Sequence, residues 1–432
     1  MKPNYKQTEM GVIPQEWEVP ALGSLGSVIR GASPRPKADK RFYGGDIPRL
    51  MVEDVTRDKK FVTPRIDFLT AEGAKRSRPC KRGTLTIVCS GTPGVVGMPS
   101  FLTVDACIHD GMMALINISP KVVPDYLFHQ LSSYQEKLYM AATHGGTFVN
   151  LTTAGFRAFK VALPPTDTEQ RAIAEALSDV DALLGALDRL IAKKRELKQA
   201  AMQQLLTGKA RLTGFKGEWE VKTFGELFNF SGGYSASREQ LSSEGHCYLH
   251  YGDIHKSSKT FVDVRAEYQD IPKLDIPLNR VSPGSLLNDG DVVFVDASED
   301  DAGTSKHIVV VNKEKKPFIS GLHTIVAKSK TDKLAHEYQR YCFQTKAIQE
   351  QFLFYSVGTK VSGISKSNIP KLKLPVPSAP EQTAIAEVLS EMDAELAGLE
   401  QRREKTRALK QGMMQELLTG RTRLISPKES HA

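Results

Sequence analysis

Two stretches of this chain gather the side chains that bind polyanions. The first holds Arg35, Lys37, Lys40 and Arg41, then Lys75, Arg76, Arg78, Lys81 and Arg82. The second holds Tyr234, Ser235 and Arg238, then His250, Tyr251, His255, Lys256 and Lys259, then Lys306 and His307. Arg and Lys neutralise phosphates, and the Arg fork also fits guanine edges in a major groove. Any one of these residues is equally an ordinary solvated charge, so the sets carry more weight than their members. The formal net charge is +8 and the pI about 9.0. That charge lies in local clusters rather than in a tail, which points to a shaped surface.

Two buried-strand patterns end in loops that could complete such surfaces. Thr84 to Cys89 runs into Ser90-Gly91-Thr92-Pro93-Gly94, and Gly290 to Val295 runs into Asp296-Ala297-Ser298-Glu299-Asp300. The expected binding set is therefore Arg35, Lys37, Lys40, Arg41, Arg76, Arg78, Lys81, Arg82 and Thr92 in the first half. In the second half it is Tyr234, Ser235, Arg238, His250, Tyr251, His255, Lys256, Ser298, Lys306 and Lys360.

Other chemistries find less support. Glu314-Lys315-Lys316, with Asp296, Asp300 and Asp301 upstream, offers a loose Glu-x-Lys of the nuclease kind. Gly91-Thr92-Pro93-Gly94-Val95-Val96-Gly97 ends in Met98, so it is not a phosphate-binding loop. Leu163-Pro164-Pro165-Thr166 lacks the polar head and aromatic tail of an amino-methyltransferase motif. No glycine-rich cofactor loop follows a strand, and His246, His250 and His255 do not have metal-ligand spacing. Cys80, Cys89, Cys107, Cys247 and Cys342 are scattered, as small buried residues in a reduced cytosol would be. Neither a catalytic centre nor a metal is expected. No apolar run approaches the ~18 residues of a membrane helix, and Met1 to Tyr5 lacks an apolar leader core. A cytoplasmic protein without membrane contact is the expectation.

What positions these residues is a duplicated frame. Glu169–Leu212 and Glu381–Leu424 align without a gap, with roughly 25 of about 44 positions identical. Glu16-Trp17-Glu18-Val19 is echoed by Glu218-Trp219-Glu220-Val221, and Gly146-Thr147-Phe148-Val149 by Gly358-Thr359-Lys360-Val361. Between these landmarks, Arg30–His144 and Ser231–Val357 share little. A common frame around unlike contents suggests two regions that read different targets.

Each duplicated segment is predicted to be a long helix. Pro164-Pro165 stops any upstream helix, Asp167 or Thr168 caps the new one, and Gly208 ends it. Ile173, Leu177, Val180, Leu184, Leu187 and Ile191 form a heptad seam that Leu197, Ala201 and Leu205 continue. The second seam is Ile385, Leu389, Met392, Leu396 and Leu399. Polar Arg403, Thr406 and Lys410 interrupt it before Met413 and Leu417, and Gly420 closes the helix. Two such seams predict an antiparallel coiled coil. The fold class expected is α+β: mixed globular regions at 1–165 and 211–377, helices within 166–210 and 378–424, and a tail from 425 to 432.

These motifs together resemble the specificity subunit of type I restriction–modification enzymes. The resemblance rests on Met10-Gly11-Val12-Ile13-Pro14-Gln15-Glu16-Trp17, on Pro164-Pro165…Glu169-Gln170-Arg171-Ala172-Ile173-Ala174, on Leu205-Leu206-Thr207-Gly208, and on Tyr248-Leu249-His250-Tyr251-Gly252-Asp253-Ile254. It implies two target-recognition domains, each reading half of a bipartite, asymmetric double-stranded DNA target. It implies a pseudo-two-fold repeat whose helices set the unread spacer and dock two methyltransferase subunits. It implies no cofactor in this chain; S-adenosylmethionine, ATP and Mg belong to the methyltransferase and to a pair of motor-nuclease subunits. Two other readings are a stand-alone nuclease using Glu314 and Lys316, and a coiled-coil scaffold that binds only protein.

Overall fold

A computed structural model describes residues 4–144, 149–257, 259–298, 305–357 and 362–425, with backbone alone at Lys256, Ala297, Ser298, Val357 and Ser362. The chain divides into two units: Met1–Asp188 with Arg402–Ala432, and Arg189–Gln401. The chain's end thus returns to complete the unit that its beginning started.

The first unit opens with the hairpin β1 (Tyr5–Thr8) and β2 (Gly11–Pro14). β3 (Ser27–Arg30), β4 (Tyr43–Leu50), α1 (Val52–Asp58), β5 (Phe61–Val62), β6 (Asp67–Leu69), β7 (Pro79–Cys80), β8 (Leu85–Val88) and β9 (Ser90–Gly91) follow. Then come β10 (Pro99–Leu102), β11 (Ala106–Ile108), β12 (Met112–Ile116), α2 (Pro124–Ser133), α3 (Gln135–Met140) and β13 (Val149–Asn150). One sheet has the order β3-β12-β8-β10-β5 and a second β6-β4-β11-β7. β8 is buried along its whole length, as its unbroken Leu-Thr-Ile-Val run requires of a central strand. Then α4 (Asp167–Leu205) carries the chain out.

The second unit repeats this topology with different residues. Its strands and helices are β14 (Phe228–Gly232), β15 (Leu241–Ser242), β16 (His246–Leu249), α5 (Tyr251–Lys256), β17 (Phe261–Asp263), β18 (Lys273–Leu274), β19 (Val292–Val295) and β20 (Ala297–Ser298). β21 (His307–Val311), β22 (Phe318–Ser320), β23 (Thr324–Ser329), α6 (His336–Cys342), α7 (Lys346–Tyr355), β24 (Ser356–Val357), β25 (Ser362–Ile364) and α8 (Ala379–Leu417) complete it. The large sheet runs β14-β23-β19-β21-β17, strand for strand the order of the first, and the smaller one runs β15-β18-β16-β22. Even a close approach is shared. A Cβ on Gly31 would lie 2.0 Å from the His109 carbonyl, and one on Gly233 1.7 Å from that of Gly321. Only glycine fits at either crossing.

In the first unit, the start of α4 and the end of α8 run antiparallel, since Asp181 pairs with Lys410 at 2.6 Å and Asp188 with Arg403 at 3.4 Å. In the second, the end of α4 and the start of α8 do the same through Lys194–Glu395 at 2.6 Å and Lys198–Asp393 at 2.5 Å. The polar interruption at Arg403 and Lys410 is therefore a set of ion pairs across the helices. Ile173, Leu177, Leu187, Ile191, Ile385, Leu389, Leu396 and Leu417 are buried, and Val180, Leu184, Met392, Leu399 and Met413 half-buried. Leu197 departs from the expected seam: it is 47% exposed, because Lys198 beside it turns inward to Asp393 and Tyr341. Gly208 and Gly420 end their helices with φ +69° and +68°.

The joint between helix and globular part is built from buried polar groups at a common offset. Gln170 accepts from the Val123 amide and donates to the Lys121 and Pro164 carbonyls. Gln382 makes the same bonds to Ala335, Lys333 and Pro377. Glu169 is clasped by Arg423, and Glu381 by Arg211 and the Trp219 indole.

Candidate nucleic-acid interface

In the first unit the end of β3, β9, the α1 N-terminus and the β11–β12 turn frame a cleft of about 600 Å³ lined by Arg30, Glu53, Ser90, Thr92, His109 and Asp110, among others. β3 ends at Arg30, whose guanidinium is held by the Asp110 carbonyl at 3.0 Å and Asn150 Oδ1 at 2.8 Å. His109 Nδ1 accepts from the Gly111 amide at 2.9 Å, so the Nε2 proton faces Asp110 Oδ1, also at 2.9 Å. Burial lowers the His109 pKa against the pull of Asp110, and Arg49 and Lys37 lower it further. A lowered pKa keeps the ring neutral at neutral pH, donating from Nε2 and accepting at Nδ1. Asp110 also faces Arg35 at 3.7 Å. The cleft thus offers fixed donors and acceptors, which is what base edges are read with.

The second unit places another chemistry at the same topological point. His250 precedes α5, and its Nδ1 accepts from the Gly252 amide at 3.0 Å. Its ring lies 4.6 Å from Tyr251, which meets His323 edge-on at 5.5 Å. His323 faces Asp296 at 3.3 Å, and Arg238 pairs with Asp253 at 2.9 Å. Burial pushes the Asp296 carboxyl up, opposed by His323, and pushes the His250 imidazole down with help from Arg238. Both units use an imidazole and a guanidinium here, but the second adds the Tyr251 ring between His250 and His323.

The predicted residues distribute unevenly. Thr92 lines the first cleft, Arg35 faces its Asp110, and Lys37 lies near enough for its charge to act on His109. Arg41 and Arg76 instead flank the Phe42 ring at 5.2 and 4.4 Å, and each has a carboxylate partner, Asp39 and Glu72. Lys81 is bound to Asp105 at 2.8 Å, and the Arg82 amide to the same carboxylate. Lys40 and Arg78 are exposed, and Arg78 reaches only the Ser77 carbonyl. Tyr234 bridges Gly321, Ser235 is exposed, and Lys306 donates to the His255 carbonyl at the end of α5. The side chains of Lys256 and Ser298, and all of Lys360, lie outside the described residues. So do Asp300 and Asp301. Glu314 is paired with Arg265 and Lys316, whereas Asp296 faces His323. Among the described residues no group of three His, Cys, Asp or Glu could hold a metal.

Sequence reasoning missed Arg30, Glu53, His109, Asp110 and His323. A signal existed: Leu50-Met51-Val52-Glu53-Asp54-Val55 stands where Leu249-His250-Tyr251-Gly252-Asp253-Ile254 stands in the other unit. Asp54 is fully buried and caps α1 through the Met51 amide at 3.1 Å.

The type I restriction modification DNA specificity domain matches residues 14–199 and again 216–407. The type I restriction enzyme MjaVIII specificity subunit of Methanocaldococcus jannaschii is 23% identical over 459 residues, covering 98% of this chain and 96% of its own. The S subunit of an M. genitalium type I restriction–modification system superposes with a TM-score of 0.56 at 15% identity, over 96% of this chain and 99% of its own. A chain from a structure describing complex assembly and conformational transition of the type I restriction–modification system gives 0.55 at 16% identity, over 95% and 99%.

Proposed function

The chain belongs to the type I restriction–modification DNA specificity family, as a subunit with two DNA-specificity domains, and from that premise we propose how it divides the work. Residues 1–165 and 211–377 are the target-recognition domains, and each reads one half of an asymmetric, split double-stranded DNA sequence. The helices within 166–210 and 378–424 fix the number of unread base pairs. The observation that carries this reading is a contrast at equivalent positions: the same order of the large sheet brings Arg30, Thr92, His109 and Asp110 together in one unit and His250, Tyr251, Asp296 and His323 in the other. A duplicated frame with one function would have no use for two chemistries.

The chain supplies no catalysis. Methyl transfer with S-adenosylmethionine resides on two methyltransferase subunits, and ATP- and Mg-dependent translocation and cleavage on motor-nuclease subunits where the complex restricts. The methyltransferases dock on the long helices, where Leu190 and Leu197 of α4 and Leu409 of α8 stay exposed. Partners of this kind cover apolar surface that an isolated helix would bury inward. The complex works in the cytoplasm; among the described residues no helix is long and apolar enough to cross a membrane.

Methylome sequencing of cells carrying the chain and its methyltransferase tests the reading. The expected motif is bipartite, with half-sites about one helical turn apart, ~10 bp centre to centre. Replacing residues 30–144 by the corresponding segment of a relative should change one half-site and leave the other intact. A contiguous motif, or changes in both half-sites, would defeat the assignment.

A further inference from the structure

The two most exposed large apolar side chains among the described residues occupy one place in the two units. Phe354 is 80% exposed and Met140 69%. Met140 ends α3 and Phe354 is the penultimate residue of α7. Each helix leads into a strand pairing with the short strand that follows the buried centre of its large sheet. After α3, Thr143 bridges Asn150, and Asn150 pairs with Ser90 at the cleft wall. After α7, β24 pairs with β25, and β25 with β20, which follows the buried strand β19.

The core does not account for these tips. Leu138 and Phe352, two residues earlier in each helix, are fully buried and already anchor it. A single exposed apolar residue is ordinary. Two at topologically equivalent sites, in segments of unrelated sequence, ask for a shared partner. Their neighbours are aromatic and cationic. Tyr355 lies edge-on to Phe354 at 5.0 Å, with Lys371 5.8 Å from the Tyr355 ring. Tyr139 meets His144 at 5.0 Å, and Lys137 lies against Tyr134. A protein-docking patch would be broad, whereas among the described residues Met140 has no exposed large apolar neighbour in sequence and Phe354 has only Leu353, with half-buried Tyr355 against it. Cations around a narrow apolar tip suit a duplex: the cations take phosphates while the tip enters between base steps.

We propose that Met140 and Phe354 are wedges, each entering the DNA beside the half-site its unit reads and unstacking one base step. This rests on the two units being DNA readers. The test uses the full chain with its methyltransferase on the target duplex, with 2-aminopurine placed at successive positions flanking each half-site. Fluorescence should rise severalfold at one step per half-site. Phe354→Ala should abolish the rise beside the second half-site only, and Met140→Ala beside the first only, with unchanged thermal unfolding and methyltransferase co-purification. Phe354→Leu should retain it. Signals that survive both alanine variants overturn the proposal, as does loss of methyltransferase binding with the signals intact. The absence of any split target would instead remove the underlying reading, and the wedges with it.

Discussion

Arg423 is the side chain by which the chain's end closes on its beginning, and removing it gives a measurable cost. Its Nη2 lies 2.9 Å from Glu169 Oε2 and its Nε binds Oε1, while Nη1 reaches Glu16. Glu169 is 2% exposed, Arg423 18% and Glu16 42%. Arg423→Ala leaves the Glu169 carboxylate in a nearly dry site. Breaking a buried pair by removing one partner costs about 3–5 kcal/mol, and the partial exposure of Arg423 puts this case near the lower end. The contact with Glu16 adds under ~1 kcal/mol, because that carboxylate is in water. Arg423→Lys should recover only part of the loss, since an ammonium cannot make the two-pronged contact. Adding Glu169→Gln to Arg423→Ala should bring the deficit back to roughly 1 kcal/mol, because no charge is then stranded. The deficit also depends on pH. Burial pushes the Glu169 carboxyl up and Arg423 pulls it down; without the arginine only a Trp17 hydrogen bond opposes the upward push of burial and of Glu16. A native pKa above the unfolded one means the folded state holds the proton longer, so stability rises as pH falls through the native value. The Arg423→Ala deficit should therefore be larger at pH 8 than at pH 5. Urea unfolding combined with hydrogen exchange by mass spectrometry reads both cost and place: exchange should rise at residues 16–22 and 167–175, not at 379–386. A loss below ~1 kcal/mol, or equal exchange at the equivalent Glu381 joint, would refute the assignment of this pair as a buried clasp.

Two further outcomes follow from the helices and the cores. Lys198→Asp should destabilise the second unit by roughly 1–2 kcal/mol, since it sets like charges at Asp393 and Lys198 is only 17% exposed; Asp393→Lys in the same chain should restore most of it, and a failure to recover in urea unfolding would show that the pairing does not depend on charge. His129 and His307 are pushed down to about 4 by burial. Unfolded histidines bind protons near pH 6.5, so stability present above that value is lost as pH falls toward 4, by up to ~3 kcal/mol per ring. His307→Phe should flatten the acid loss of the second unit, and an unchanged urea midpoint shift between pH 7 and 4.5 would contradict this.

The long helices were legible because their signals are local: a heptad seam, a proline stop, a closing glycine. Within them Leu197 was misplaced, because the seam pattern cannot show that Lys198 finds Asp393 far along the chain. Arg403 and Lys410 looked like a defect for the same reason, since their partners Asp188 and Asp181 lie in the other repeat. The strands β8 and β19 were visible as apolar runs, but the identity of strand order between the units was not, because hydrogen-bonded neighbours such as β3 and β12 lie far apart in sequence. At the candidate sites, clustering of basic residues found Arg35, and the loop after a buried strand Thr92, but the clustering also gathered Arg41, Arg76 and Lys81, which serve Phe42, Glu72 and Asp105. Charge density along a sequence does not distinguish a cation waiting for phosphate from one already paired. His109 and Asp110 escaped notice because two residues in a turn make no cluster until Arg30 and Asn150 are brought to them.

The contrast between like joints and dissimilar candidate sites has a physical cause. Gln170 and Gln382 each satisfy one amide and two carbonyls in a site that water does not reach. A buried network of that kind loses free energy at every substitution that leaves a partner unmet, so its members change together or not at all. Those partners include backbone groups of Lys121, Val123, Lys333 and Ala335, whose side-chain identity is free to vary. Among the candidate binding residues, Thr92 is exposed and Tyr251 half-buried, so replacing either strands nothing inside the fold. The frame is thus held by interactions that forbid drift, and it presents loops whose only constraint is what they bind. Two readers can diverge on one chain without either unit losing its anchor.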